Sequence, residues 1–400
     1  MHNIPQGQVR VGTSEFRRIN IALFCAGFVT FVTLYDVQPL LPLFAQEFKV
    51  SPAMASLPLS CSTIALALGM LIAGTVSETL GRRQVMTVAL FLTSLLAMLT
   101  FFSHSFESLL IVRLLQGVVL AGVPSVAMAY LGEEMDAQAI GHAMGLYISG
   151  NAVGGMSGRI GSALLCTYVP WHSAIALVGL FSLLLSILFL KYLPPSSNFQ
   201  YRTFRLRYLF TSLYQHLHDP GLLCLYGLAF LSMGGFISLY NYIGFRLLAA
   251  PYNLSHYQVS LIFLVYLLGS FSSGVVGSLI HRFGRPFMIR VTLATMLVGT
   301  VITLVGSLPL IVAGVGIFTC GFFSSHAIAS SWVGRRALTA KAQASSLYLF
   351  AYYLGSSISG TVGGLFWQHY GWNGVAVMIT LLLIVAFVVA ELLLRAPAVE

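Results

Sequence analysis

The feature that most constrains this 400-residue chain is the recurrence of apolar runs of about twenty residues, parted by short polar turns such as "EFKVSP", "GRR" and "GEEMDAQ". A helix needs about 20 apolar residues to cross a hydrocarbon core ~30 Å thick. Backbone amides in lipid must be satisfied within the segment, so repeated runs of this length mean helices. Transmembrane strands would be near ten residues long and would alternate in polarity; the runs do not alternate. Only 8% of residues are charged and 58% are hydrophobic. A water-exposed globule is thereby excluded, because soluble domains carry about 25% charged residues.

Twelve segments are expected, near 19–44, 53–76, 84–103, 108–131, 140–167, 172–193, 221–245, 257–280, 286–306, 309–333, 344–367 and 372–395. The one long connection, Pro194 to Pro220, parts them six and six. The expected organisation is a six-helix bundle over 1–193, a cytoplasmic loop over 194–220 and a second bundle over 221–400. The loop carries "YRTFRLRYLFTSLYQHL", a basic stretch with aromatics suited to anionic lipid headgroups. A calmodulin-like partner is the other reading of that stretch.

With a cytoplasmic N-terminus, fifteen of the twenty Lys and Arg residues fall on the inner side: Arg10, Arg17, Arg18, Arg82, Arg83, Lys191, Arg202, Arg205, Arg207, Arg282, Arg285, Arg335, Arg336, Lys341 and Arg395. This asymmetry predicts an even number of spans with both termini inside. The net charge of +9 is then membrane topology and no sign of nucleic acid. Cys25, Cys61, Cys166, Cys224 and Cys320 all lie in apolar runs without metal-ligand spacing and read as packed thiols. The N-terminal stretch "MHNIPQGQVRVGTSEFRRIN" precedes an apolar run too long for a signal peptide and is expected to be retained.

The chain repeats itself. Gly74, Gly81 and Arg82 align with Gly277, Gly284 and Arg285 at an offset of 203. "TLYDVQ" at Thr33 matches "SLYNYI" at Ser238, "LYISGNAVGG" at Leu146 matches "LYLFAYYLGS" at Leu347, and Trp171 matches Trp372. Four matches in one order imply two homologous halves, an architecture that in membranes carries a substrate site at the repeat interface.

On these residues the chain resembles the major facilitator superfamily over essentially its whole length. Gly74, Glu78, Thr79, Gly81, Arg82 and Arg83 are similar to that family's inner-loop signature, with Glu for the usual Asp and Thr79 in place of an arginine. The second copy keeps Arg282 but has His281 where the acid belongs. "RLLQG", Arg113 to Gly117, resembles the fourth-span signature of proton-coupled members, and Gly150, Gly154 and Gly158 fall in register with the fifth-span signature of antiporters. The resemblance implies an all-α membrane protein with twelve transmembrane helices in two homologous six-helix bundles, working by alternating access. It also implies a bacterial efflux-like subgroup in the inner membrane. The expected latch joins Arg82 and Arg83 to Glu133, Glu134 and Asp136 after the fourth span. Simple anchoring of basic residues at the inner surface is the other reading.

Ionisable side chains inside spans are costly and mark function. Asp36, Arg113 and Arg159 fall at similar depth on a 1.5 Å rise per residue, so an Asp–Arg pair is expected. Burial raises a carboxylate's pKa and a neighbouring guanidinium lowers it, so Asp36 with Arg113 is the candidate proton-coupling pair. A static pair holding helices together is the alternative. Candidate cavity residues are Tyr35, Gln116, Tyr147, Asn151 and Arg159 in the first half, with Tyr240, Asn241, His326, Tyr348 and Tyr352 in the second. Some of these tyrosines also suit a membrane-interface belt.

The expected activity is secondary transport without a cofactor or metal: export of a small amphipathic compound in exchange for protons, by a monomer in contact with membrane lipids. An organic anion or sugar is the alternative cargo, since two arginines face one aspartate. A membrane enzyme or sensor is the different class. The short loops and the lack of H-E-x-x-H, Walker or nucleophile-elbow sequences argue against it.

Overall fold

A computed structural model describes residues 8–136, 138–199, 201 and 206–396. Arg202 and Arg205, counted above as inner charges, lie outside the described residues. The longer helices are α1 (Ser14–Tyr35), α2 (Leu57–Leu80), α3 (Arg82–Leu99), α4 (Phe106–Leu120), α5 (Pro124–Glu134), α6 (Ala139–Leu165) and α7 (Trp171–Tyr192). They continue as α8 (Leu206–Leu217), α9 (Pro220–Leu248), α10 (Tyr266–Phe283), α11 (Arg285–Ile302), α12 (Leu308–Arg336) and α13 (Lys341–Arg395).

Among the described residues these give twelve spans. Ten stretches there are long and apolar enough to cross a bilayer, with α1 extended to Glu47 and α4 joined to α5. The 55-residue α13 is two spans, because Gly371 breaks it at φ 57° and ψ −146°. The 27-residue α6 is the twelfth, long enough to cross but diluted by glycines and polar side chains. The interior–exterior pattern is inverted relative to a soluble helix. On α4, Ile111, Leu114, Leu115 and Val118 form an exposed stripe at i, i+3, i+4 and i+7, while Arg113, Gln116 and Gly117 are buried.

The chain forms two compact units. One holds residues up to Val37 together with Leu68–Leu206; the other holds Gln38–Ala67 with Arg207 onward. The boundary cuts α2 in two and falls immediately after α1.

In the first unit α6 lies on α1 through glycines spaced four apart. A Cβ on Gly150, Gly154 or Gly158 would stand 2.5, 2.4 or 2.4 Å from the carbonyl oxygens of Phe24, Phe28 and Val32. Lipid offers no hydrophobic drive between helices, so such backbone approach supplies the packing. The second unit repeats the device. A Cβ on Gly355 would meet the Phe230 carbonyl at 2.2 Å, joining α13 to α9. All five cysteines are free.

Candidate functional site

α1 stops at Tyr35 because Pro39 has no amide to donate back to the Tyr35 carbonyl and its ring would press on it. The stop leaves the last carbonyls of α1 stranded in a dry interior. Arg113 on α4 fills the gap. Its Nη1 donates to the Thr33 carbonyl at 2.8 Å and its Nη2 to the Leu34 carbonyl at 2.6 Å. A cation at a helix C-terminus is also favoured by the helix dipole. The same Nη1 reaches Gln116 Oε1 at 2.6 Å and Asp36 Oδ1 at 3.2 Å. Both side chains of the Asp36–Arg113 pair are fully buried.

Around this pair, Ser162 on α6 donates its hydroxyl to the Asp36 carbonyl at 2.6 Å. Arg159, one turn earlier, lays its guanidinium over the Tyr35 ring at 3.9 Å and donates to the Gly155 carbonyl at 2.8 Å. Tyr35, Asp36, Arg113, Gln116 and Arg159 therefore form one cluster at the end of α1, inside the first unit. Asp36 Oδ2 is buried and accepts no hydrogen bond among the described residues.

The remaining cavity candidates divide differently. Tyr147 is fully buried in the first unit's apolar core, and the Asn151 amide oxygen lies 2.3 Å from where a Cβ on Gly27 would stand. Both face α1. In the second unit His326 Nδ1 lies 3.0 Å from the Tyr348 hydroxyl, and the Tyr352 ring centre is 4.9 Å from the imidazole. These three close around a crevice too narrow to hold water, against Ser232 and Phe322. Tyr240 bonds Thr319 through the two hydroxyls at 2.7 Å, away from that crevice's lining. Asn241 accepts from the Gln38 amide at 2.8 Å.

Gln38 was not singled out in the sequence, although a glutamine amid an apolar run was a visible signal. It leads a polar seam within the second unit. Ser60 Oγ lies 2.9 Å from Thr361 Oγ1, and Thr63 Oγ1 lies 2.7 Å from Ser357 Oγ. Through these contacts and the close approach of Ala53 to Gly364, the segment after Asp36 is seated on α9 and α13.

At the opposite end of α2, Gly81 takes φ +95° in the turn to α3, and Gly284 takes φ +78° in the matching turn from α10 to α11. Both conformations favour glycine. Gly74 and Gly277 play no such part, since a Cβ on either would touch nothing within 4 Å. Arg82 is buried and pairs with Glu133 at 2.8 Å, while also donating to the Gly74 carbonyl at 3.0 Å and to Ser77 Oγ. Glu78 stands 3.7 Å away. Arg83 instead donates to the Leu190 carbonyl. Glu134 accepts the Asn198 amide at 3.0 Å, and Asp136 caps α6 by accepting from the Gln138 and Ala139 amides. Val9 pairs with this loop, its amide donating to Glu134 and its carbonyl accepting from Asp136.

The second unit inverts these charges. "LGEE" ending at Glu134 has the counterpart "VGRR" ending at Arg336. Arg285, the equivalent of Arg82, faces the like charge of Arg335, and Arg336 turns to Asp219 at 2.5 Å. Arg282 is exposed against its neighbour Phe283.

Residues 20–337 and 222–400 both match the family model described as Major Facilitator Superfamily. The chain belongs to the major facilitator superfamily. It is 48% identical over 387 residues to the MFS-type transporter YybF of Bacillus subtilis (strain 168), covering 97% of this chain and 96% of that one. It is 46% identical over 391 residues to the inner membrane transport protein YnfM of Escherichia coli (strain K12), covering 98% and 94%. Among solved structures, the human organic anion transporter MFSD10 (TETRAN) shares the fold with a TM-score of 0.72 at 18% identity, over 94% of this chain and 100% of that one. As a superfamily member with twelve spans the chain is a multi-pass membrane transporter.

Proposed function

We propose that the chain is a proton-coupled secondary transporter that exports a small amphipathic compound, with Asp36 as the group that takes up and releases the proton. The observation that carries this reading is the way Arg113 is held. Beside Asp36, Arg113 has neutral acceptors: the Thr33 and Leu34 carbonyls and Gln116 Oε1. A proton on Asp36 therefore removes the negative charge without stranding the arginine, so both states of the carboxyl are tolerable in a dry interior. Asp36 also precedes by one residue Val37, after which the chain leaves the first compact unit for the second. A change of charge there acts where the chain passes from one unit to the other. The candidates to contact cargo are Gln116, Arg159 and Tyr35 within the first unit and Asn241, Tyr240, His326, Tyr348 and Tyr352 within the second. The Arg82–Glu133 pair would latch the inner side. In this reading both termini face the cytoplasm of a bacterial inner membrane, in line with the inward bias of Lys and Arg.

The test is transport in proteoliposomes under an imposed pH gradient. Wild type accumulates labelled compound against its gradient. Asp36→Asn keeps exchange of compound for compound and loses uphill movement. Uphill transport retained in that variant ends the proposal. A second reading, an organic anion as cargo, is favoured by one observation: two arginines share the cluster with one aspartate, leaving +1 beside the Tyr35 ring. Competition between benzoate-like anions and lipophilic cations decides between the two.

A further inference from the structure

The central connection contains a twelve-residue helix, α8, that does not cross the membrane. Its two faces differ sharply. Ser212 and His216 are turned inward, and His216 Nε2 lies 3.1 Å from the Ala340 carbonyl at the start of α13. Phe210, Tyr214 and Leu217, at i, i+4 and i+7, are 64%, 64% and 45% exposed. Nearby in the second unit, Leu338 is 62% exposed, two residues from the carbonyl that His216 contacts. The helix is thus anchored by its polar side and offers aromatics outward.

Charge selects what covers this face. From Tyr201 to His218 the sequence holds three arginines and no acid, and from Ser330 to Gln343 it holds Arg335, Arg336 and Lys341 and no acid. Arg336 is engaged by Asp219, while Arg335 and Lys341 are exposed. A helix of apolar and aromatic residues with arginines before it, and with its one flanking acid, Asp219, engaged by Arg336, is matched by a surface that is oily beneath and anionic above. Position agrees, because α8 lies between the end of one span, α7, and the start of the next, α9.

We propose that α8 is an interfacial helix that lays Phe210, Tyr214 and Leu217 into an anionic phospholipid leaflet, and that this contact holds the start of α13 through His216. The inference stands apart from the choice of cargo or coupling ion. A bound leaflet would steady the His216–Ala340 contact, so the entry to the eleventh span becomes sensitive to lipid charge.

The experiment is hydrogen exchange of the full-length protein in nanodiscs, following amides 206–217 and those at the start of α13. With phosphatidylglycerol added to phosphatidylcholine, both stretches should exchange about tenfold more slowly than in phosphatidylcholine alone. Raised salt should shrink the difference, since headgroup attraction is screened. Phe210→Ser with Tyr214→Ser and Leu217→Ser should abolish it, and the matching leucine replacements at 210 and 214 should keep it. Equal exchange in the two lipids, or lipid-dependent protection surviving in the serine variant, overturns the proposal. So does protection that follows protein concentration in detergent, which would make the occupant a second copy of the chain.

Discussion

The Gln38 amide donates to Asn241 Oδ1 at 2.8 Å, so the residue two places beyond Asp36 is bonded to Asp36's own counterpart in the sequence repeat. Asp36 serves Arg113; Asn241, neutral, serves Gln38. The matched positions are charged in one half and amidic in the other, and the three-residue stretch Asp36–Gln38 leads from the first to the partner of the second. Both partners are buried, at 1% and 2% exposure. Removing Gln38 leaves the Asn241 oxygen dry and unbonded, which costs about 1–3 kcal/mol. Gln38→Ala should lower the melting temperature and speed alkylation of Cys61, which sits in the same segment beside Ser60. Unchanged labelling of Cys61 would mean the bond does not seat the segment.

Arg113 gives an ordering of variants. Asp36→Asn keeps an acceptor for the guanidinium and should fold close to wild type. Arg113→Lys keeps the charge, but one ammonium cannot reach the two carbonyls, Gln116 and Asp36 with a planar fork. Arg113→Ala removes a buried partner and strands both Asp36 and the end of α1, at about 3–5 kcal/mol. Expression and thermal stability in detergent should fall in that order. An Arg113→Lys variant as stable as Asp36→Asn would show that carbonyl capping contributes little.

The glycines of α6 separate close approach from flexibility. Gly154→Ala drives a Cβ into the Phe28 backbone, whereas Gly161→Ala, two turns further along the same helix, meets nothing within 4 Å. The first should destabilise by about 1–3 kcal/mol, as overpacking does. The second should stabilise by roughly 0.5–1 kcal/mol through helix propensity. Thermal unfolding of the two proteins side by side checks the sign as well as the size.

Much of this was legible in the sequence because bilayer thickness and backbone satisfaction leave few choices for runs of this length. The meeting of Asp36 with Arg113 followed from depth along two helices. The matched turns at Gly81 and Gly284 followed from the repeat. The break in α1 is invisible to hydropathy, which runs unbroken to residue 44 and does not register that Pro39 withholds an amide from Tyr35. Pattern alone also could not show that a Cβ at Gly74 would touch nothing or that Arg159 folds back on its own helix. Those facts depend on side-chain direction, and the seating of Gln38–Ala67 on α9 and α13 depends on hydrogen bonds between residues about 200 to 300 positions apart in sequence.

Arg82 offers a charge test with a built-in limit. Its ion pair with Glu133 is supplemented by the Gly74 carbonyl, which would repel a carboxylate, and by Ser77 Oγ, which accepts from Arg82 while donating its own proton to Gly74. Arg82→Glu and Glu133→Arg should each abolish transport. The double variant should recover only part of it, because the carboxylate introduced at position 82 would face the Gly74 carbonyl, which has nothing to donate, and a Ser77 hydroxyl whose proton is already given to that carbonyl. Full recovery would mean the ion pair alone matters, and no recovery would mean it does not matter as a pair.

Asp219 supplies the pH dependence, just outside the span that begins at Pro220. Burial works to raise its pKa, but the Arg336 guanidinium and the Leu222 and Gly221 amides more than offset this, holding the carboxyl below its ordinary value. A carboxylate depressed in the folded state stabilises fully above its unfolded pKa of about 3.9, and that contribution disappears as pH falls through the folded value. Asp219→Asn cannot ionise and lacks the contribution at every pH. Wild type should therefore melt above the variant at neutral pH, and the gap should close on acidification below about pH 4. No gap at any pH would mean that Asp219 acts only by capping α9 through the Leu222 amide, a role asparagine also fills. The second-half charge inversion would then have left Arg336 with a partner of no electrostatic consequence.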